Sequence, residues 1–436
     1  MFPLNAVLKR FVRQGRLKVT DCDGKAYEFG DPDAPLDAAI ALRDPDTAWR
    51  IAVNGALNIG EAYTDGTLVI EEGSLLDFLR LLLLNSRRWN DTRLGQFYYR
   101  AEDILRLPAV FNPARRSRAN VKHHYDLSDE LFSLFLDKDR QYSCAYYQTG
   151  REDIDSAQLL KKQHIAAKLY IRPDQHILDI GSGWGGLALY LAEHYPVRVT
   201  GLTLSEEQFR VSNARARQLG LAKRVAFKLL DYRREQETYD RIVSVGMFEH
   251  VGKPHFSTFF RKMETLLKPD GVALIHTIGF QTPPTQINSW LRRYIFPGAY
   301  LPSLSQLAPI FERQHIWLTD FENLRLHYAL TLAAWHERFQ AHRDRIASLY
   351  DGRFCRMWEF YLQSCEVGFR WGGLTVFQLQ LAKDIAALPI TRDYMIHEEQ
   401  RLRAIDEPGM EEPAPAIWAA QKPSGKAGEA GERPRH

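Results

Sequence analysis

Residues 177–208 read ILDIGSGWGGLALYLAEHYPVRVTGLTLSEEQ. A short apolar run, Ile177 to Ile180, carries one acid, Asp179, and ends in a glycine-rich turn at Gly181, Gly183, Gly185 and Gly186. An amphipathic run, Leu187 to His194, and a second apolar run, Val197 to Leu204, follow. That order predicts strand, tight turn, helix, strand, the first unit of a doubly wound α/β sheet. Glycines in such a turn let the backbone approach a ligand closely, and the helix start presents N–H groups with no partner inside the helix.

A dinucleotide site calls for G-x-G-x-x-G and an acid at the end of the second strand. Gly181, Gly183 and Gly186 meet the first condition, but the second strand ends in Thr203-Leu204-Ser205. Asp179 before the first glycine gives the form D-x-G-x-G, which resembles the turn of S-adenosylmethionine-dependent methyltransferases. On the turn alone, a nicotinamide site or a plain strand-turn-helix stays open.

The composition is that of an ordinary globular chain. With 436 residues, 45% hydrophobic and 25% charged, it can bury the cores of two or three domains. A formal charge of +3 is too small to point to nucleic acid. Cys22, Cys144, Cys355 and Cys365 show no C-x-x-C spacing, which speaks for a reducing cytosol, and no metal site is expected. The start, MFPLNAVLKRFVRQGRLK, lacks the apolar centre of a signal peptide. No apolar run approaches the length of a membrane span.

Residues 1–106 read as a small α+β unit. Leu17 to Thr20 and Ala26 to Phe29 flank Asp23-Gly24, a hairpin signal. Ala48 to Val53 and Thr67 to Ile70 are expected as further strands, with Asp65-Gly66 as a turn. Ser74 to Asn85 reads as a helix capped by Ser74, its leucines suited to a buried face and its flank Arg87-Arg88-Trp89 to a lipid surface. Residues 107–122 form a linker with Arg115, Arg116 and Arg118, a charge run that is solvated or meets anionic headgroups. Residues 123–403 form the larger domain, and the Pro/Gly/Ala/Glu-rich stretch 404–436 is expected to be disordered.

Along the larger unit the segments VKHHYDLSDELFSLFLD, QYSCAYY, ILDIGSGWGG, GLTLSEEQ, DRIVSVGMFEHVG, LIHTIG, YIFPGAYLPS and HYALTLAAWHERF occur in order. Together they resemble the cyclopropane-fatty-acyl-phospholipid synthase family, which includes the mycolic acid cyclopropane synthases. The resemblance covers roughly Asn120 to Arg370 and, less sharply, the N-terminal unit. Ser182 departs from it, since many members carry cysteine between the two glycines. The resemblance implies a Rossmann-like class I methyltransferase fold, a mostly parallel doubly wound sheet with a small N-terminal α+β domain. It also implies S-adenosyl-L-methionine as methyl donor, phospholipids with unsaturated acyl chains as substrate, a homodimer, and a cytoplasmic enzyme held peripherally at the inner face of the membrane.

The residues that the resemblance brings to the cofactor are Tyr142, Ser143, Asp179, Gly181, Gly183, Gly185, Thr203, Leu204, Gln208, Asp231, Tyr232 and Val245. Asp179 would anchor the turn or receive the ammonium of the methionine end; Gln208 would meet the ribose; Asp231 would accept from the adenine amino group, with Tyr232 over the ring. An isolated alkene attacking a sulfonium methyl leaves positive charge on an acyl carbon, so the reaction needs a dry site lined by aromatic faces. Ring closure then needs a base. Family members hold bicarbonate for it, and its ligands map onto Cys144, Glu249, His276, Ile278 and Tyr328, with the Cys144 and Ile278 N–H groups facing its oxygens. Cys365 matches a cysteine suspected in the family of acting as nucleophile. The chemistry gives a covalent cysteine no step, so it is expected to line the acyl pocket. Two rival readings keep the fold: a methyltransferase that leaves a methyl branch or methylates an amine, and a lipid-binding protein without activity.

Overall fold

The computed structural model describes residues 1–90 and 128–406, with side chains through Ser86 in the first stretch. The first stretch runs α1 (Leu4–Phe11), β1 (Arg16–Thr20), β2 (Ala26–Gly30), β3 (Leu36–Leu42), α2 (Pro45–Val53), α3 (Gly55–Asp65), β4 (Leu68–Glu72) and α4 (Leu75–Asn90). Its four strands form one sheet in the order β2-β1-β3-β4. Asp23-Gly24 turns the β1–β2 hairpin as expected, with Gly24 at φ +80°. The Asp65-Gly66 signal marks a helix end instead, Gly66 closing α3 in the left-handed conformation.

The strand expected over Ala48–Val53 is a helix. Asp44 accepts from the Asp46 N–H and Pro45 opens the first turn, so a cap and a proline at the first helical position override the β-branched residues behind them. Ser74 caps α4 as expected: its Oγ accepts from the Asp77 N–H at 3.1 Å while Asp77 reaches back to the Ser74 N–H at 3.2 Å. Leu75, Phe78, Leu79 and Leu81 are buried, as expected for the leucines of α4, while the side chains of Arg87, Arg88 and Trp89 lie outside the described residues.

The second stretch contains α5 (Asp129–Phe135), α6 (Ile154–Leu169), β5 (His176–Ile180), α7 (Gly186–His194), β6 (Arg198–Thr203), α8 (Glu206–Gln218), β7 (Val225–Leu229), β8 (Tyr239–Val245), α9 (Phe256–Leu266) and β9 (Leu267–Phe280). Then come α10 (Ser289–Tyr294), α11 (Leu304–Gln314), β10 (Trp317–Asn323), α12 (His327–Ala341), α13 (Arg343–Leu349), α14 (Gly352–Arg370), β11 (Leu374–Ala382) and α15 (Asp393–Asp406). Seven strands pair in the order β10-β11-β9-β8-β5-β6-β7. Pairing is parallel from β9 to β7 and antiparallel at β11. This is the Rossmann-like, mostly parallel sheet that the sequence implies. The strand order reverses at β5, where the glycine turn sits, and ligands bind at such switch points.

Helix α14 packs against α3 and α4, joining the two sheets' surroundings into one core. A Cβ on Gly60 would stand 2.5 Å from the Trp290 ring, so α3 and α10 meet as closely as a glycine allows. The linker, residues 107–122 with Arg115, Arg116 and Arg118, lies outside the described residues, as do residues 407–436 of the tail. Helix α15 carries the fold past the end expected at Arg403, to Asp406. Among the described residues, no helix is long and apolar enough to cross a membrane.

Candidate active site

The turn after β5 opens a cavity of about 170 Å³. Gly181, Gly183 and Gly185 have φ of +85°, +54° and +84°, conformations that favour glycine. The three do different jobs. A Cβ on Gly181 would stand 2.8 Å from Met247, whereas one on Gly183 would meet nothing within 4 Å, because Gly183 borders the cavity. Gly185, also expected at the cofactor, caps the start of α7, and a Cβ there would strike the Phe227 ring at 2.6 Å, which gives this glycine a packing role. Ser182, the departure from the family pattern, is buried, and its hydroxyl faces the Leu202 carbonyl at 3.3 Å.

The other expected cofactor residues gather around this cavity: Tyr142, Ser143, Asp179, Thr203, Leu204, Gln208, Asp231, Tyr232 and Val245. Thr203 and Gln208 are both buried, and the Thr203 hydroxyl donates to Gln208 Oε1 at 2.8 Å, which keeps the amide donors of Gln208 for a ligand. Asp231 is more engaged than the sequence suggested. Its carboxylate accepts from Arg233 Nε at 2.9 Å, and its second oxygen from Arg233 Nη2 at 2.5 Å. Oδ1 also accepts from the Arg233 N–H at 3.0 Å, so Arg233 occupies both of its lone pairs. Tyr232 stands edge-on to Phe259, 5.3 Å between ring centres. Burial raises the Asp179 carboxyl to about 7 against the opposing charge of Lys161. A cation delivered by a ligand would restore its ionised form.

A second cavity of about 590 Å³ adjoins the first. Tyr142, Ser143, Gly246 and His250 line both, so the two meet at these residues. The larger one is walled from one side by Leu4, Val7, Leu8 and Phe11 of α1, Ile51 of α2, Ile59 of α3, and Leu79, Leu82 and Leu83 of α4. From the other side come Tyr328, Phe360, Tyr361, Phe369 and Leu374. Tyr142 is held in an aromatic nest, its ring stacked 5.2 Å from Trp335 and its hydroxyl 2.8 Å from that of Tyr361.

All six residues expected in chemistry face this apolar cavity: Cys144, Glu249, His276, Ile278, Tyr328 and Cys365. Glu249 follows β8 in a single 3₁₀ turn and is buried. Its Oε1 accepts from the Ile278 N–H at 2.7 Å, and its Oε2 is buried without a hydrogen-bond partner. The Ile278 N–H, expected to face an anion, is therefore taken by Glu249. Burial raises the Glu249 carboxyl to about 7. His276, on β9, is held neutral by burial and by the positive charge of Lys161 and Lys168. Gln378 Nε2 donates to its Nδ1 at 3.2 Å, which leaves the ring proton on Nε2. Burial raises the thiols of Cys144 and Cys365, that of Cys365 to about 12, so neither is a thiolate at neutral pH. Cys365 lines the cavity wall. Among the described residues, no cluster of His, Cys, Asp and Glu could hold a metal ion.

Sequence reasoning missed Gly246 and His250 at the junction and the entire wall supplied by α1 to α4. His250 stood beside Glu249 in the motif and was the one recoverable signal.

A family model described as mycolic acid cyclopropane synthetase matches residues 112–379, more than half of the chain. The chain belongs to that family. Within it, the chain is 39% identical over 356 residues to the cyclopropane-fatty-acyl-phospholipid synthase of Escherichia coli K12, covering 81% of this chain and 89% of that one. It is 34% identical over 403 residues to the tuberculostearic acid methyltransferase UfaA1 of Mycobacterium tuberculosis, covering 87% and 91%. The crystal structure of the mycolic acid cyclopropane synthase CmaA1, complexed with SAH and CTAB, superposes with a TM-score of 0.59 at 32% identity. It covers 63% of this chain and 99% of that one. Like these members of the cyclopropane synthase family, the chain is an enzyme.

Proposed function

We propose that this enzyme transfers a methylene group from S-adenosylmethionine to the cis double bond of unsaturated phospholipid acyl chains, leaving a cyclopropane ring, S-adenosylhomocysteine and a proton. The observation that carries this reading is the junction of a small polar cavity with a large apolar one, with the unpartnered Glu249 Oε2 facing the apolar side. S-adenosylmethionine supplies an electrophilic methyl. The chain's residues do the rest. Gln208 and Asp231 hold the adenosine end, and Asp179 takes the ammonium. The leucines and aromatics of the large cavity hold the acyl chain, replacing the apolar surroundings it leaves in the bilayer and sparing it the cost of about 0.8 kcal/mol for each methylene that would otherwise meet water. Tyr142, Tyr328, Tyr361 and Phe369 exclude water and offer ring faces to an acyl cation.

The remaining donor set fits a bicarbonate ion. Glu249 Oε2, His276 Nε2–H, the Tyr328 hydroxyl and the Cys144 N–H would hold it, with Ile278 acting through Glu249. Bound there, bicarbonate would supply the base for the proton lost on ring closure. Two anionic groups need a proton between them, and a Glu249 carboxyl raised to about 7 is suited to share one.

The substrate's double bond lies within a bilayer, so the enzyme works at the membrane surface without spanning it. Arg115, Arg116 and Arg118 are the contact that the sequence suggests; binding should favour anionic vesicles and weaken with salt. Equal binding to neutral vesicles at every salt concentration would remove the electrostatic part. Mass spectrometry of lipids from a host expressing the chain tests the reaction itself. A gain of one CH₂ on monounsaturated chains with loss of the alkene and a ring in the product is expected. A methyl branch in its place would favour the second reading, a fatty acyl methyltransferase, to which the likeness to the tuberculostearic acid enzyme points. Unchanged lipids would overturn both.

A further inference from the structure

Tyr142 and Ser143 line the junction of the two cavities, and Gln141 beside them borders the smaller one, all in a segment with no regular secondary structure. Two side chains of α6 hold that segment from below. Gln158 Nε2 donates to the Gln141 carbonyl at 3.2 Å and to the Ser143 carbonyl at 3.0 Å. Lys161 Nζ donates to Gln141 Oε1 at 2.8 Å and to Ser143 Oγ at 2.9 Å. Both α6 residues are 1% exposed, and Lys161 lines neither cavity. A lysine buried this completely is costly unless its donors are used, and nothing in the reaction uses it as acid, base or nucleophile.

The chemistry of its partners shows what it does. A protonated lysine only donates. Ser143 Oγ must therefore accept from Lys161, which occupies one lone pair toward the core and leaves the hydroxyl proton for the cavity side. Gln141 is fixed in the same sense: its Oε1 accepts from Lys161 while its Nε2 donates to Asp139 Oδ2 at 3.0 Å. Ser143 borders both cavities, so it faces the end of the cofactor that meets the acyl chain, the sulfonium and its amino-acid portion. That portion carries one ammonium, opposite Asp179, and one carboxylate, which needs a donor.

We propose that Lys161 is a positioning residue for the cofactor: it fixes Ser143 so that the serine hydroxyl donates to the carboxylate of the methionine portion. The proposal rests on the S-adenosylmethionine reading, and binding measurements separate the two. The probes are S-adenosylhomocysteine and 5′-methylthioadenosine, which lacks the amino-acid portion, titrated by calorimetry. A wild type that binds neither would sink the cofactor reading itself. With wild-type binding in hand, Lys161→Met and Ser143→Ala should each weaken S-adenosylhomocysteine about tenfold or more, the scale of a lost hydrogen bond to a charged group. The double variant should be no weaker than the weaker single, because both changes remove one contact. Methylthioadenosine should bind all three variants as it binds the wild type. Lys161→Arg, which also only donates, should recover most of the affinity.

Wild-type affinity in a folded Lys161→Met, equal losses for both probes, or additive losses in the double variant would each overturn the proposal. Should Lys161→Met fail to fold, Lys161→Leu, which likewise has no donor, reads the same contrast. A crystal structure of the wild type with S-adenosylhomocysteine decides independently of any variant. Ser143 Oγ is expected within about 3 Å of a carboxylate oxygen, and its absence from that position would rule the assignment out.

Discussion

Gly183 and Glu249 stand at the two halves of the proposed chemistry, and each role can be tested by one substitution. Gly183 has a left-handed backbone and borders the cofactor cavity, with open space where a side chain would go. Gly183→Val would fill that space with a β-branched group and oppose the positive φ. S-adenosylhomocysteine binding by calorimetry should disappear while circular dichroism reports a folded chain. Unchanged affinity would show that the turn does not hold the cofactor. At Glu249, replacement by Gln keeps the size and the bond from the Ile278 N–H but removes the charge at the unpartnered Oε2. General-base catalysis contributes about a hundredfold to ten-thousandfold. Turnover should fall within that range and cofactor affinity should hold, because Glu249 lines the acyl cavity and not the cofactor cavity. Near-normal turnover with cyclopropane as sole product would remove Glu249 from the proton's path and make Tyr328 the next group to replace.

At the scale of elements, α15 shows how a terminal helix is fixed by charge. His164 on α6 donates from Nδ1 to Glu399 of α15 and from Nε2 to Glu322 of β10, both at 2.6 Å. His194 of α7 donates to Asp406, also at 2.6 Å. Burial lowers the pKa of each histidine, but the carboxylates outweigh it and hold both above the usual value. For a group raised on folding, the stabilisation is complete below the unfolded value, about 6.5, and is lost as pH rises through the folded value. Hydrogen exchange at α15 should thus be slow at pH 6 and accelerate above the raised histidine values. His164→Gln should lower stability by about 1–3 kcal/mol at pH 6 and by less at pH 9; a loss that does not depend on pH would mean that His164 acts by packing alone. None of this was legible in the sequence, where α15 was only the end of a domain, because pairing over more than two hundred residues leaves no local pattern. The legible elements were those whose signal is local: the β5 turn, the β1–β2 hairpin and the Ser74 cap. Helix α2 reads as a strand because AWRIAV is a short apolar run with an aromatic and two β-branched residues, which periodicity alone cannot tell from a helix, and the Asp44-Pro45 start that decides it lies outside that run.

The whole molecule adds what neither sheet has alone. Both cavities open on residues of the seven-stranded unit, but only the larger one has a wall from α1 to α4. That wall is held in place by polar ties as well as packing: Tyr294 donates to Glu61 at 2.9 Å, Arg353 to Asp65 at 2.9 Å, and Arg356 to the Thr64 carbonyl at 2.9 Å. The motifs made the cofactor side and the polar cluster readable. The acyl side was hidden because its N-terminal half consists of ordinary aliphatic residues and Phe11 on four helices, which become one wall only when the chain has folded. This division predicts a separable defect. Leu8, on α1, lines the acyl cavity and is buried. Leu8→Trp would place an indole where part of a lipid chain must lie, within about 590 Å³. Overpacking of a folded interior typically costs about 1–3 kcal/mol, which a chain with this much core can bear. Cyclopropanation of phospholipid vesicles should then fall steeply, with the loss greatest for the longest acyl chains, while calorimetry gives wild-type affinity for S-adenosylhomocysteine. A loss of cofactor affinity in step with turnover would mean that the substitution damages the whole fold. Full turnover on long chains would mean that the acyl chain does not run along α1, and the substrate path would have to be sought along Phe360, Phe369 and Leu374.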